Sequence, residues 1–306
     1  MSQHRSGFVT IVGRPNVGKS TLINALVGSK IAITSHHPNT TRSAIRGVVH
    51  GPDFQAVLVD TPGVHKPKTL LGHRLNALVD QSLDSVDIVI MCIPADESSG
   101  AGDLFISAEI AKHSRAKKFA VVTKSDLISK EKLALRLAGI MSLAQGFAWD
   151  EVIPVSAMAH NQIDLLNELI GKNLPIGPAY YPAGTRSDQG IELLICEFIR
   201  EAALQDVREE LPHSIMVTID EFAEREEKGS RPFFDLHATI HVERDSQRAI
   251  LLGHQGSRLK EIGIRARADI ERALSAKIFL GLHIKVSKDW QQDPSFLERL
   301  GFGDNH

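Results

Sequence analysis

The run Gly13-Arg14-Pro15-Asn16-Val17-Gly18-Lys19-Ser20 is a G-x-x-x-x-G-K-S segment set between an apolar stretch, Phe8 to Val12, and an amphipathic one, Thr21 to Val27. A glycine-rich turn from strand into helix points backbone N–H groups at one spot, where the helix dipole also favours negative charge. That is a cradle for a polyphosphate. Lys19 is placed to reach the outer phosphates, and the Ser20 hydroxyl to ligate the magnesium ion (Mg2+) that travels with a nucleoside triphosphate. Gly13 to Thr21 is therefore read as the nucleotide-binding loop and the start of its helix.

A phosphate loop alone does not separate kinases, ATPases and GTPases, so the choice rests on downstream positions. Asp60-Thr61-Pro62-Gly63 is a D-x-x-G after an apolar run. A carboxylate there can hold magnesium through water, and the Gly63 amide can approach a γ-phosphate closely because glycine has no Cβ. Thr40-Thr41 falls in the loop after the first helix, where a hydroxyl, Thr41 in preference to Thr40, can complete the metal shell when the γ-phosphate is present. Ser20, Thr41 and Asp60 form the expected metal set, and Lys19, Thr41 and Gly63 the catalytic one.

Thr123-Lys124-Ser125-Asp126 closes a later β-branched run. Guanine presents two adjacent donors, N1–H and N2–H2, which one aspartate can accept together; adenine would leave buried groups unpaired. Asp126 is thus the base-reading residue, with the Lys124 stem along the ring. Ser156-Ala157 can add a backbone N–H to the guanine O6. Each tetrad alone is commonplace, but in this order on a phosphate-loop scaffold they specify GTP and GDP. Val64, directly after the D-x-x-G, can neither position nor polarise water, so intrinsic hydrolysis is expected to be slow.

The elements that position these residues follow from periodicity. Strand patterns at Phe8 to Val12, Ala44 to Val49, Ala56 to Asp60, Asp87 to Ile93, Lys118 to Thr123 and Glu151 to Val155 alternate with helical ones at Gly18 to Leu26, Leu70 to Leu83, Asp103 to Lys112, Lys130 to Leu143 and Ile163 to Ile170. This predicts an α/β fold, a mostly parallel sheet with helices on both faces. The hairpin across Gly51-Pro52-Asp53 adds one antiparallel edge. With 306 residues the chain is long enough for two compact units. We read residues 1–173 as the nucleotide domain, 174–190 as a Pro- and Gly-rich linker, 191–289 as a second, α+β domain and 290–306 as a tail whose Trp290, Phe296, Leu297 and Phe302 pack rather than stack on bases.

The second domain begins with an amphipathic helix from Ile191. Strand patterns at Ser214 to Phe222 and Phe233 to Val242 follow, then helices broken at Gly253-His254-Gln255-Gly256, then a strand from Ile278 to Val286. A G-x-x-G loop between helices admits a nucleic-acid backbone, beside a groove for about four single-stranded bases. Between Arg248 and Lys288 nine basic residues face three acidic ones, in a chain whose net charge is only −2. Affinity for RNA therefore has to be local. His254 and Gln255 carry no fixed charge, so Arg258 and Lys260 are expected to supply the phosphate contacts. Cys92 and Cys196 read as core thiols of a reducing compartment. The first strand begins too early for a signal peptide, and the longest apolar run, Ile88 to Ile93, is far short of the roughly 20 residues of a membrane span. The scattered histidines lack metal-ligand spacing.

Gly13 to Ser20, Thr40-Thr41-Arg42 and Asp60-Thr61-Pro62-Gly63-Val64-His65-Lys66-Pro67 resemble the Era family, within the TrmE-Era-EngA-like GTPases, over nearly the whole chain. The resemblance implies a P-loop GTPase domain followed by a type II KH domain that binds the single-stranded 3′ end of small-subunit ribosomal RNA. It further implies a cytoplasmic, monomeric factor for assembly of the small ribosomal subunit, with a peripheral contact on the cytoplasmic membrane face. Asn16 matches an asparagine that in related GTPases helps bind a potassium ion (K+). Thr123 departs from the usual asparagine, so the bridge from base pocket to phosphate loop is expected to be partial. A GTPase switch acting at the membrane or in cell-cycle control without direct RNA binding is the alternative. A P-loop kinase lacks support, since no lid or acceptor pocket is legible.

Overall fold

The strand that leads into the phosphate loop, β1 (Arg5–Val12), lies between β3 (Phe54–Asp60) and β4 (Ile88–Pro94), parallel to both. The computed structural model describes residues 3–33, 45–60, 86–113, 115–205, 215–225 and 231–292. In it β2 (Ile45–His50) pairs antiparallel with β3 through the expected hairpin, while β5 (Lys117–Thr123) and β6 (Glu151–Pro154) extend the parallel part. The result is a six-stranded sheet of order β2-β3-β1-β4-β5-β6. Successive strands leave β1 in opposite directions, so a crevice opens at its C-terminal end, where Gly13 begins.

The apolar runs that read as strands are buried on both faces, as parallel strands must be. Ile88, Ile90 and Cys92 of β4 join Leu22 and Ile23 of α1 (Lys19–Val27) and Leu166 and Ile170 of α4 (Ile163–Asn173). The intervening Val89, Met91 and Ile93 pack instead with Ile106 and Ile110 of α2 (Ala101–Ala111) and Ile140 of α3 (Lys130–Met141). One strand thus cements two helical layers. The helix expected at Leu70 to Leu83 lies outside the described residues.

The 174–190 stretch has three prolines and three glycines, and the structure lays residues 174–188 along the first unit. Pro175 O accepts the Ser6 amide (3.0 Å), Arg186 O accepts the Val48 amide (2.9 Å), and the Tyr180 ring packs on Phe8. Gln55, buried in β3, accepts from the Tyr180 and Tyr181 amides (2.7 and 3.0 Å) and donates to Tyr181 O (2.8 Å). Proline carries no N–H, so an extended Pro-rich segment is held through its carbonyls and through such a side-chain clamp.

The second unit orders α5 (Ile191–Leu204), β7 (Met216–Arg225), β8 (Phe233–Val242), α6 (Asp245–Leu252), α7 (Ser257–Leu274) and β9 (Lys277–Val286). β7 and β8 are antiparallel, with a bulge between Ile219 and Glu221, and β9 joins β8 parallel. A parallel neighbour needs a crossover, and α6 with α7 supplies it. Phe198, Ile199, Leu236, Ile240, Ile262, Ala266, Ile270 and Ile278 form the core. Trp290 is fully buried, in keeping with a packing role; Phe296, Leu297 and Phe302 lie outside the described residues.

Candidate functional site

The phosphate loop leaves β1 at Gly13, whose φ of +153° and close neighbours exclude a side chain: a Cβ there would lie 2.8 Å from Cys92 O. Asn16 (φ +64°) and Gly18 (φ +96°) then turn the chain through the left-handed region into the first turn of α1. Only glycine adopts the second conformation without strain. The Lys19 ammonium folds back over the loop and donates to Gly13 O (3.0 Å) and Arg14 O (2.9 Å), and its side chain is buried. Ser20 follows in the same turn. A cradle of backbone N–H groups at a helix N-terminus, one ammonium and one hydroxyl is the donor set that a magnesium–triphosphate requires.

Arg14 does something motif reading does not foresee. Its Nε donates to Asp103 Oδ1 (2.9 Å) and its Nη2 to Glu97 Oε2 (3.0 Å), both in the segment between β4 and the first turn of α2. Burial works against the charge, yet these two carboxylates hold the guanidinium above its ordinary pKa. Asp103 is itself fully buried and accepts the Gly100 amide (2.9 Å), completing the start of α2. Nothing in the sequence pattern beyond a helix-start aspartate marks Glu97 or Asp103.

The segment expected to read the base arrives from β5. Thr123, buried, donates its hydroxyl hydrogen to Val17 O in the middle of the phosphate loop. This is the bridge an asparagine was expected to make, and the threonine makes its loop-facing half. Lys124 adopts φ +55°, and its ammonium faces Asp96 Oδ1 (3.8 Å) and Glu97 Oε1 (3.9 Å). The Ser125 amide donates to Val155 O (3.1 Å), and Asp126, in the short 3-10 turn Ser125–Leu127, is exposed. After β6, Ser156 is spent on its own loop: its amide donates to Asn161 O (3.1 Å) and its hydroxyl accepts the Ala159 amide (3.1 Å). Of the Ser156-Ala157 pair, the Ala157 amide is therefore the better donor for a base carbonyl.

Asp60 ends β3, but only its backbone is described. Thr41, Thr61, Pro62, Gly63 and Val64 lie outside the described residues. Among the described residues no group of three or more His, Cys, Asp or Glu could hold a metal by itself.

In the second unit, Gly253 (φ +69°) and Gly256 (φ +78°) flank His254 and Gln255, the latter also left-handed at φ +51°. A Cβ on Gly253 would lie 2.8 Å from Arg258 Cβ, whereas one on Gly256 would meet nothing within 4 Å. The second glycine thus leaves open backbone at the N-terminus of α7. Arg258 Nη2 donates to Gln205 O (2.8 Å) at the end of α5, which spends part of its guanidinium on structure. His254, Gln255 and Lys260 are exposed.

A family model described as 50S ribosome-binding GTPase matches residues 8–124, and one described as KH domain matches residues 210–291. The chain is 51% identical over 302 residues to GTPase Era of Streptomyces coelicolor, covering 98% of this chain and 95% of the relative. It is 52% identical over 304 residues to GTPase Era of Mycobacterium tuberculosis, covering 99% and 100%. Among solved structures, Era in complex with MgGDPNP and nucleotides 1506–1542 of 16S ribosomal RNA superposes with a TM-score of 0.91 at 34% identity, covering 98% of this chain and 99% of that one. A single-substitution variant of Aquifex aeolicus Era bound to GDP·AlF4− gives 0.89 at 33%, covering 98% and 99%.

Removing the Thr123 hydroxyl while keeping its shape isolates the bridge. Thr123→Val leaves Val17 O without its partner and is expected to weaken GDP binding about tenfold, or ~1.4 kcal/mol. Thr123→Asn restores the contact and binds at least as tightly as the parent. Titration with fluorescent GDP checks both, and unchanged affinity in Thr123→Val removes the bridge from the account of the site.

Proposed function

The chain belongs to the Era family of GTPases, and on that premise we propose that it is a guanine-nucleotide switch that binds the single-stranded 3′ end of small-subunit ribosomal RNA and assists assembly of the small ribosomal subunit. The observation that carries this reading is the hydrogen bond from Thr123 to Val17, which docks the base-reading segment on a phosphate loop 106 residues away. Only a ligand with a purine at one end and phosphates at the other needs both.

In this reading Lys19 moves its ammonium from the Gly13 and Arg14 carbonyls to the outer phosphates. Ser20, Thr41 and Asp60 hold the magnesium ion, which neutralises phosphate charge. The Gly63 amide and Thr41 sense the γ-phosphate. Asp126 accepts both guanine donors, the Lys124 stem covers the ring, and the Ala157 amide donates to O6. Val64 offers no group to orient water, so turnover is slow until one is supplied from outside. Asn16, turned left-handed in the loop, is assigned to a potassium ion beside the phosphates.

The G-x-x-G loop with α7 forms the RNA-facing element, with open backbone at Gly256 and Lys260 at its rim. The matched GTPase family is described by the 50S ribosome, whereas one of the solved relatives of near-complete coverage carries 16S RNA. That full-length likeness favours the small subunit. The KH domain also disfavours a switch acting without RNA. The same reading takes the protein as a cytoplasmic monomer; among the described residues no helix is long and apolar enough to cross a membrane.

Asp126→Asn replaces an acceptor pair with one acceptor and one donor, which suits the C2 carbonyl of xanthine. GDP affinity is expected to fall at least a hundredfold while xanthosine diphosphate gains; competition with labelled GDP measures this, and ATP displacing it as well as GTP does would sink the guanine reading. For the cation, phosphate release is expected to run several-fold faster in potassium than in sodium at equal ionic strength, and equal rates remove Asn16 from that role. For the RNA, the full chain should retain a single-stranded ribosomal 3′ tail over duplex of equal length in a filter assay, with curves that differ between GTP analogue, GDP and no nucleotide. Sucrose-gradient fractionation should find it with small-subunit particles. Equal retention of duplex counts against the KH assignment, and coincident curves mean that the two halves are not a switch.

A further inference from the structure

Two cations from separate recognition segments meet at one carboxylate. Glu97 directs Oε2 to Arg14 of the phosphate loop (3.0 Å) and Oε1 toward Lys124 of the base-reading segment (3.9 Å). The segment that carries it is braced from both sides. Arg14 Nε reaches the buried Asp103 (2.9 Å), and Arg136 of α3 donates from Nη1 to Ser99 Oγ (2.8 Å) and from Nη2 to Pro94 O (3.2 Å). The Arg14 stem lies on Gly102, where a Cβ would come within 2.9 Å of Arg14 Cδ. The backbone on either side of Glu97 is therefore held.

We propose that Arg14 is a positioning residue for guanine-nucleotide binding: it restrains the Glu97 carboxylate, and that restraint leaves the Lys124 ammonium free to lie along the purine. The inference rests on the guanine reading of Lys124 and Asp126. Its physics is a competition for one carboxylate. With Arg14 in place, Glu97 is satisfied by a charge-assisted hydrogen bond and holds Lys124 only at a distance. Without that bond, Glu97 has Lys124 as its nearest cation, and a full ion pair draws the ammonium away from the base. Asp96, 3.8 Å from Lys124, stays in place and sets the floor of the effect.

Arg14→Ala would also take from the buried Asp103 its direct ion-pair partner, leaving only the more distant Arg136, and unsettle α2, so the informative variant is Arg14→Lys. A lysine keeps a charge for Asp103 but has one nitrogen, and no second prong for Glu97. Fluorescent GDP is titrated into the full chain carrying R14K, E97Q or both, beside the parent, with thermal melting of each nucleotide-free protein. Parent-like melting, about fivefold weaker binding in R14K, at most a twofold change in E97Q, and at least a twofold recovery in R14K/E97Q relative to R14K support the proposal. A structural defect in the loop is not repaired by a second substitution. A double variant that binds no better than R14K, or an R14K that binds like the parent, overturns it while leaving the guanine reading intact. A parent that fails to bind GDP overturns both.

Discussion

The nucleotide site depends on one constraint, the left-handed and extended backbone of residues 13–18 held at the end of β1. That conformation aims amide hydrogens inward and is intrinsically costly for a chain of L-residues. The fold sustains it by pinning the loop at three places: at Gly13, where only the absence of a side chain lets Cys92 come close; at Val17, through Thr123; and at Arg14, through Asp103. The pins come from β4, from the end of β5 and from the first turn of α2. A sheet whose order reverses at β1 is what brings them together, so the topology and the chemistry are one requirement.

Much of this was legible in the sequence because burial on both faces of a parallel sheet leaves continuous apolar runs, and the runs at Ile88 and Lys118 are of that kind. The antiparallel edge was legible for another reason: Gly51-Pro52-Asp53 between two β-branched runs leaves little but a hairpin. In the second unit the helix break at Gly253 to Gly256 was visible as paired glycines, and both adopt positive φ as a helix–loop–helix turn demands. Motif residues were legible because their spacing along the chain is fixed by the strand and helix that flank them.

What escaped was carried by side chains whose partners are distant in sequence and free of any pattern. Residues 174–188 look like a linker by composition, yet Gln55, a single polar residue inside an apolar strand, gathers three of their backbone groups. A buried glutamine in β3 was the only signal, and one amide does not announce its partner. Arg258 reads as an RNA contact from its place after the G-x-x-G, but the end of α5 takes one of its nitrogens. Glu97 and Asp103 sit where surface carboxylates are commonplace, and only the fold brings Arg14 to them.

The same contrast separates the two ends of the nucleotide site. Phosphate recognition is built into the backbone, so substitution at most loop positions acts through conformation and reports on stability and affinity together. The side chains proposed to read the base sit at the mouth of β5 and β6, where Asp126 is exposed and Lys124 faces acidic neighbours. Lys124 there lies within 4 Å of two carboxylates at a partly solvated site, where effective interactions are a few kcal/mol at most and depend on salt. The loop backbone at the phosphate end is thus fixed by its pins, while the side chains at the purine end answer to their charged neighbours. A protein that must bind both GDP and GTP yet release each can place its adjustable affinity at the base, because the γ-phosphate end has to stay committed to distinguishing the two states.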